Sequence, residues 1–181
     1  MKISRRGFLK AAASLTALSV VGAMGGVGSY EYGVHLAARW LTIEQVEIPL
    51  ENLKSTLEGF RIVQLSDLHL YPYTQLDLIQ EAIQITNALK PDLVVLTGDY
   101  VLSTAEAIFD LAPVLSTLNA RYGVFGILGN HDLWTDADTV HAGFAANGIP
   151  LLRNQGIDLN IGGELLFLAG VDDGWIFRKA R

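Results

Sequence analysis

Leu93-Val94-Val95-Leu96-Thr97-Gly98-Asp99 is a short apolar run closed by a glycine and an acid. The same form occurs twice more. Arg61-Ile62-Val63-Gln64-Leu65-Ser66 gives way to Asp67-Leu68-His69, and Gly123-Val124-Phe125-Gly126-Ile127-Leu128 gives way to Gly129-Asn130-His131-Asp132. Runs this short and this rich in Val, Ile and Leu read as strands buried on both faces of a parallel sheet. Ligands of such sheets gather beyond the carboxyl ends of the strands, so the three polar endings should converge.

The segments between the runs supply the crossovers. Over residues 75–89 the apolar positions Leu76, Ile79, Ile83, Thr86 and Leu89 follow helical spacing, and Pro91 stops the helix. Residues 105–118 repeat the pattern with Ile108, Leu111, Leu115 and Leu118, and Pro113 should kink that helix or mark its start. The result is β-α-β-α-β, which the right-handed crossover rule places in one sheet. A third helix is expected over about 136–147, ended by Gly148, followed by a hairpin of residues 157–161 and 164–171 turned at Gly162-Gly163. Residues 41–50 alternate loosely and read as an additional first strand.

Composition bounds the chemistry. Half of the 181 residues are apolar, enough for one domain with a real core. Cysteine is absent, so any metal must be held by oxygen and imidazole nitrogen, which suits Mn, Fe, Zn, Ni or Mg without choosing among them. Four of the 13 basic residues precede the first acidic one, Glu31, leaving nine against 19 acidic residues in the rest of the chain. Such an acidic body is a poor nucleic-acid binder, and none is expected as a partner; a phosphate substrate would need positive charge brought by metal ions.

The polar endings hold suitable donors. Asp67 and His69 flank Leu68, so at a strand end both can turn to the same side and chelate one ion. Asp99 has two oxygens and can bridge two ions, and Asn130 offers a neutral carbonyl oxygen to the second. Two cations about 3.5–4 Å apart would clamp a phosphate and lower the pKa of a bridging water until a hydroxide forms. His131, beside a ligand but outside the ligand set, is placed to stabilise the transition state or protonate the leaving oxygen. Gly98 and Gly129 should let the backbone turn sharply and admit metals and substrate closely. A single Asp at a strand end is more often a cap than a ligand, and Asp132 is read that way.

Asp67-x-His69, Gly98-Asp99 and Gly129-Asn130-His131-Asp132, in this order and roughly thirty residues apart, resemble the first three motifs of the calcineurin-like metallophosphoesterases. Together with Ala169-Gly170-Val171-Asp172-Asp173 they resemble most the small exported phosphodiesterases of that family, over about residues 40–173. The resemblance implies an α/β fold, a metallophosphoesterase-type β-sandwich flanked by helices. It also implies hydrolysis of phosphoesters, phosphodiesters above all, by a metal-activated hydroxide at a dinuclear site of two divalent ions. The family pattern continues with further histidines, ending in Gly-His-x-His, and no histidine follows Asp173. The expectation is therefore a domain represented by its amino-terminal part only, with the second sheet incomplete and a weak second metal site. The alternative is a truncated remnant without catalysis that binds metal weakly or needs a partner segment.

Ser4-Arg5-Arg6-Gly7-Phe8-Leu9-Lys10, followed by an uncharged stretch to Tyr30, resembles a twin-arginine export signal. The expected organisation is a signal or anchor over residues 1–30, a linker or interfacial helix over 31–40, and the metallophosphoesterase domain over 41–181. The expected partners are a phosphoester, with the anchor as the one hint of a lipid-linked one, the twin-arginine translocase, and the membrane through the amino-terminal segment. The expected location is periplasmic or on the outer face of the cell membrane.

Overall fold

The computed structural model describes residues 39–173 together with Gly25, Gly26, Ser29, Tyr32 and Gly33. The Ser4–Lys10 motif, most of the expected signal or anchor segment and the ending from Gly174 onward lie outside the described residues, as does most of the expected interfacial helix. The chain divides into two compact units, Met1–Val46 and Glu47–Arg181. In the first, Gly25, Gly26 and Ser29 are helical, and the Ser29 hydroxyl donates to the Gly25 carbonyl at 2.9 Å. No helix among the described residues is long and apolar enough to cross a membrane.

The second unit carries the fold. Strands β1 (Ile62–Leu65), β2 (Leu93–Leu96) and β3 (Val124–Gly126) form a parallel sheet in the order β1-β2-β3. The pairing of Leu65 with Leu96, and of Leu96 with Gly126, puts the three carboxyl ends level. Beyond β3, Leu151 forms a parallel bridge to Gly126, with the Leu152 amide donating to the Gly126 carbonyl at 2.8 Å. Strands β4 (Gln155–Ile161) and β5 (Glu164–Gly170) make an antiparallel hairpin that is the whole of the second sheet among the described residues. This is the mixed architecture expected from the sequence, with a small second sheet.

Helix α1 (Leu76–Ala88) buries Ile79, Ile83 and Thr86, one face at helical spacing. A 3-10 turn, Ala105–Ala107, leads into α2 (Ile108–Leu115), which buries Ile108, Leu111, Ala112 and Leu115. Pro113 lies inside α2 rather than at its start, in a helix only eight residues long. A short α3 (Asn130–Thr135) is followed at once by α4 (Ala137–Ala146), whose Asp136 caps it by accepting from the Asp138 and Thr139 amides. In the core the Tyr100 and Phe144 rings meet at 4.5 Å between centroids, and both residues are fully buried. Truncating such an aromatic costs about 3–5 kcal/mol, so the loop after β2 is anchored as firmly as a strand.

The structure departs from the sequence-based expectation at residues 41–50 and at β1. Residues 41–50 form no strand; Val46, Ile48 and Leu50 are 79, 74 and 61% exposed. Their alternation has no paired neighbour among the described residues, and a strand needs one to satisfy its backbone. Strand β1 is not buried on both faces either: its residues alternate exposed and half-buried, because it stands at the edge of the parallel sheet, whereas β2 in the middle is buried. The hairpin turns at Gly162-Gly163 as expected and leaves Leu165 and Phe167 exposed on one face.

Candidate metal centre

The site is built where β1, β2 and β3 end. The His69 amide donates to the Asp99 carbonyl at 2.9 Å and the Asp67 amide to the Gly98 carbonyl at 3.1 Å, so the loops after β1 and β2 continue the sheet's pairing past the strands. Asp67, His69 and Asp99 all have positive φ, at 54, 43 and 55°. The two side chains that flank Leu68 therefore meet through left-handed backbone, not through the alternation of a strand end. Non-glycine residues held there cost on the order of 1–3 kcal/mol each, and such strain gathers where side chains must be aimed.

The loops after β2 and β3 pack backbone against backbone. A Cβ on Gly98 would stand 2.3 Å from the Gly129 nitrogen, and one on Gly129 would stand 2.2 Å from Asp99 Oδ1. Gly98 also needs its φ of +90°. These glycines admit each other's loops; the sequence reading had them admitting metal and substrate.

Asp132 locks that junction. Its fully buried carboxylate accepts from the amides of Asp99 at 2.8 Å, Gly129 at 2.9 Å, Tyr100 at 2.9 Å and Val101 at 3.3 Å. This is the hydrogen-bonding role behind the site that the sequence assigned to it. Burial pushes its carboxyl above the usual aspartate range, with the four amides pulling the other way. Burial, and then the Asp132 charge, push the Tyr100 phenol well above its ordinary value. The Tyr100 hydroxyl lies 2.9 Å from the Leu96 carbonyl and 2.8 Å from that of Ile127, tying β2 to the end of β3.

Each carboxylate of the site is held by one oxygen and presents the other. Asp67 Oδ2 accepts from the Ser66 hydroxyl at 2.6 Å, and Asp99 Oδ1 accepts from the His131 amide at 2.9 Å. The remaining oxygens, Asp67 Oδ1 and Asp99 Oδ2, face His69 Nε2 at 3.5 and 3.6 Å. Those separations are too long for hydrogen bonds. They match the edge of about 3.3–3.6 Å between ligands of a tetrahedral ion with bonds of about 2.0–2.2 Å. His69 Nδ1 is buried with no hydrogen-bond partner among the described residues, so the ring makes its polar contacts through Nε2. Oxygen and imidazole donors, negative charge and ligand-like spacing together fit a divalent cation.

His131 completes the cluster: one donor atom each from His69, Asp99 and His131 lie within 4.8 Å of one another. The His69 and His131 rings meet edge to face at 4.8 Å. His131 Nδ1 is 2.9 Å from the Leu102 carbonyl, which can only accept, so the proton is on Nδ1 and Nε2 is the working nitrogen. Asn130, the first residue of α3, is half-buried beside it. The structure thus brings together Asp67, His69, Asp99 and His131, and sets Asn130 next to them in the chain. The sequence reading missed the Leu102 carbonyl, which carries no side-chain signal, and Trp134, one helical turn after His131, whose ring stands 5.2 Å from it.

This arrangement agrees with comparison to known proteins, in which the family model for calcineurin-like phosphoesterases matches residues 60–178. The chain belongs to the calcineurin-like phosphoesterase family. Among its relatives, the uncharacterized metallophosphoesterase YkuE of Bacillus subtilis is 35% identical over 181 residues, covering 95% of this chain and 60% of that protein. Phosphodiesterase YaeI of Escherichia coli is 33% identical over 177 residues, 96% of this chain and 62% of its own. The UDP-2,3-diacylglucosamine pyrophosphatase LpxG of Chlamydia muridarum is 33% identical over 129 residues, 71% of this phosphoesterase chain and 38% of its own length. The chain thus spans about 60% of the length of the first two relatives. No solved structure matches it.

Proposed function

We propose that this chain carries the phosphoester-hydrolysing centre of a metal-dependent phosphodiesterase. Asp67, His69 and Asp99 hold a first divalent cation, and Asp99 with Asn130 contributes to a second, weaker site. The observation that carries the reading is the pair of oxygens, Asp67 Oδ1 and Asp99 Oδ2, each presented to His69 Nε2 at 3.5–3.6 Å by a carboxylate whose other oxygen is anchored. Metal bound there would supply Lewis-acid charge against the phosphate oxygens and would acidify the attacking water.

The chain's own groups do the rest. The Ser66 hydroxyl and the His131 amide fix the carboxylates, so they need not reorganise during the reaction. The Leu102 carbonyl holds His131 Nδ1, which leaves Nε2 as the nitrogen that exchanges a proton. As water oxygen bonds to phosphorus and the bond from phosphorus to the leaving oxygen breaks, the water's proton passes to solvent and His131, entering with both ring nitrogens protonated, gives the Nε2 proton to the leaving oxygen. General-acid help of this kind is worth about 10²–10⁴-fold.

The names of relatives that act on phosphodiesters and on a lipid-linked pyrophosphate support a phosphodiester or lipid-linked substrate. The motif Ser4–Lys10 supports export by the twin-arginine translocase, with the amino-terminal segment at the membrane. The test is hydrolysis of bis(p-nitrophenyl) phosphate by the chain with and without Mn²⁺. The reading expects metal-dependent turnover that His131→Ala lowers by about 10²-fold or more while metal still binds. Turnover unaffected by chelator, or by His131→Ala, would refute it.

A further inference from the structure

Trp134 is 54% exposed, an unusual placement for an indole that stands directly against the site. It lies in α3 three residues after His131, and the two rings are 5.2 Å apart at an angle of 52°. His131 in turn touches His69, so an unbroken line of rings runs from the metal-ligating histidine to the open indole. Packing does not account for that exposure: the core aromatics Tyr100 and Phe144 are fully buried, and Trp134 is not among the residues packed on the core.

We propose that Trp134 sets specificity by packing against an aromatic or other flat apolar group on the leaving side of the phosphoester. The proposal rests on the role given to His131. If His131 Nε2 protonates the leaving oxygen, the group attached to that oxygen must lie beside the His131 ring, and the indole is an exposed apolar surface 5.2 Å from that ring. An indole offers a broad face that keeps few internal rotations to lose, so contact with a flat group is favourable at low entropic cost. A methyl leaving group is too short to reach it and gains nothing. Trp134 therefore acts on substrate choice, through contact, rather than on the chemical step.

The experiment compares phenylphosphonate with methylphosphonate, two anions that cannot be hydrolysed, binding to the full 181-residue chain in the presence of Mn²⁺. Calorimetry gives both affinities, and tryptophan fluorescence reports contact with the ring. The wild type is expected to prefer the phenyl compound by roughly tenfold, the range that one aromatic contact provides. Trp134→Ser is expected to abolish the preference while leaving methylphosphonate affinity unchanged, and Trp134→Phe to keep most of it. An equal loss for both compounds would make Trp134 a support for His131 and overturn the proposal. A preference that survives in Trp134→Ser would overturn it too, with the phosphoesterase reading intact. Failure of the wild type to bind either compound would remove that reading and the inference together.

Discussion

Replacing Asp132 by Asn tests the junction on which the site is mounted. In the native chain Asp132 Oδ2 takes the Asp99 and Gly129 amides at 2.8 and 2.9 Å, while Oδ1 takes those of Tyr100 and Val101. An asparagine can keep one pair through its carbonyl oxygen but must turn an NH₂ group toward the other. Two buried N–H groups then lose their acceptor at about 1–3 kcal/mol each, partly offset by removal of a buried charge, for a net loss of roughly 2–4 kcal/mol. That corresponds to a fall in melting temperature on the order of 5–15 °C for a domain of this size. Because both pairs of amides belong to the loops that carry Asp99 and His131, Mn²⁺ affinity should fall as well. Circular dichroism melts and a Mn²⁺ titration of the variant check both effects. A variant that melts within about 2 °C of wild type would refute the reasoning, since it would mean that the four amides do not depend on the buried carboxyl. Its upward shift alone adds stability only at pH values low enough to keep it protonated, and that contribution is lost as pH rises through the folded value.

The other predictions follow from the same geometry. Gly129→Ala drives a Cβ to within 2.2 Å of Asp99 Oδ1, so it should abolish tight metal binding and lower stability, as a metal titration and a melt would show. Tyr100→Phe removes the hydroxyl lying between the Leu96 and Ile127 carbonyls and should cost about 1–2 kcal/mol in urea unfolding with little change in metal affinity. Asp136 caps α4, and hydrogen bonds from Thr139, through amide and hydroxyl, hold its carboxyl below the usual value of 3.8. Its stabilisation is present above that usual value and is lost as pH falls through the lower folded one. The stability gap between wild type and Asp136→Ala, measured by denaturant titration, should therefore close in strongly acidic solution.

Much of this was legible in the sequence because periodicity and punctuation report directly on burial. The α1 positions Ile79, Ile83 and Thr86 announced a buried face, and Gly162-Gly163 announced the hairpin turn. The convergence of Asp67, His69 and Asp99 followed from strand ends in a parallel sheet. What the sequence hid depends on three-dimensional neighbours. An alternating pattern at residues 41–50 does not reveal that a partner strand is missing among the described residues, and a buried-looking run at β1 does not reveal an edge position. Left-handed backbone at Asp67, His69 and Asp99 has only a weak signal in residue type, since Asp and His enter that region more readily than other non-glycine residues but do so uncommonly. The mutual approach of Gly98 and Gly129 joins loops thirty residues apart, and the Leu102 carbonyl belongs to the main chain.

The account rests on side chains from separate strands sharing a cation, and Mn²⁺ binding followed by electron paramagnetic resonance tests this most directly. Free Mn²⁺ gives a sharp signal that binding broadens away, so the stoichiometry and affinity of the wild type can be set against Asp99→Ala and Asp67→Ala. The account predicts saturable binding by the wild type, loss of at least tenfold in affinity for Asp67→Ala, and a larger loss for Asp99→Ala, whose carboxylate is the one proposed to serve both ions. Equal Mn²⁺ binding by all three proteins would contradict it.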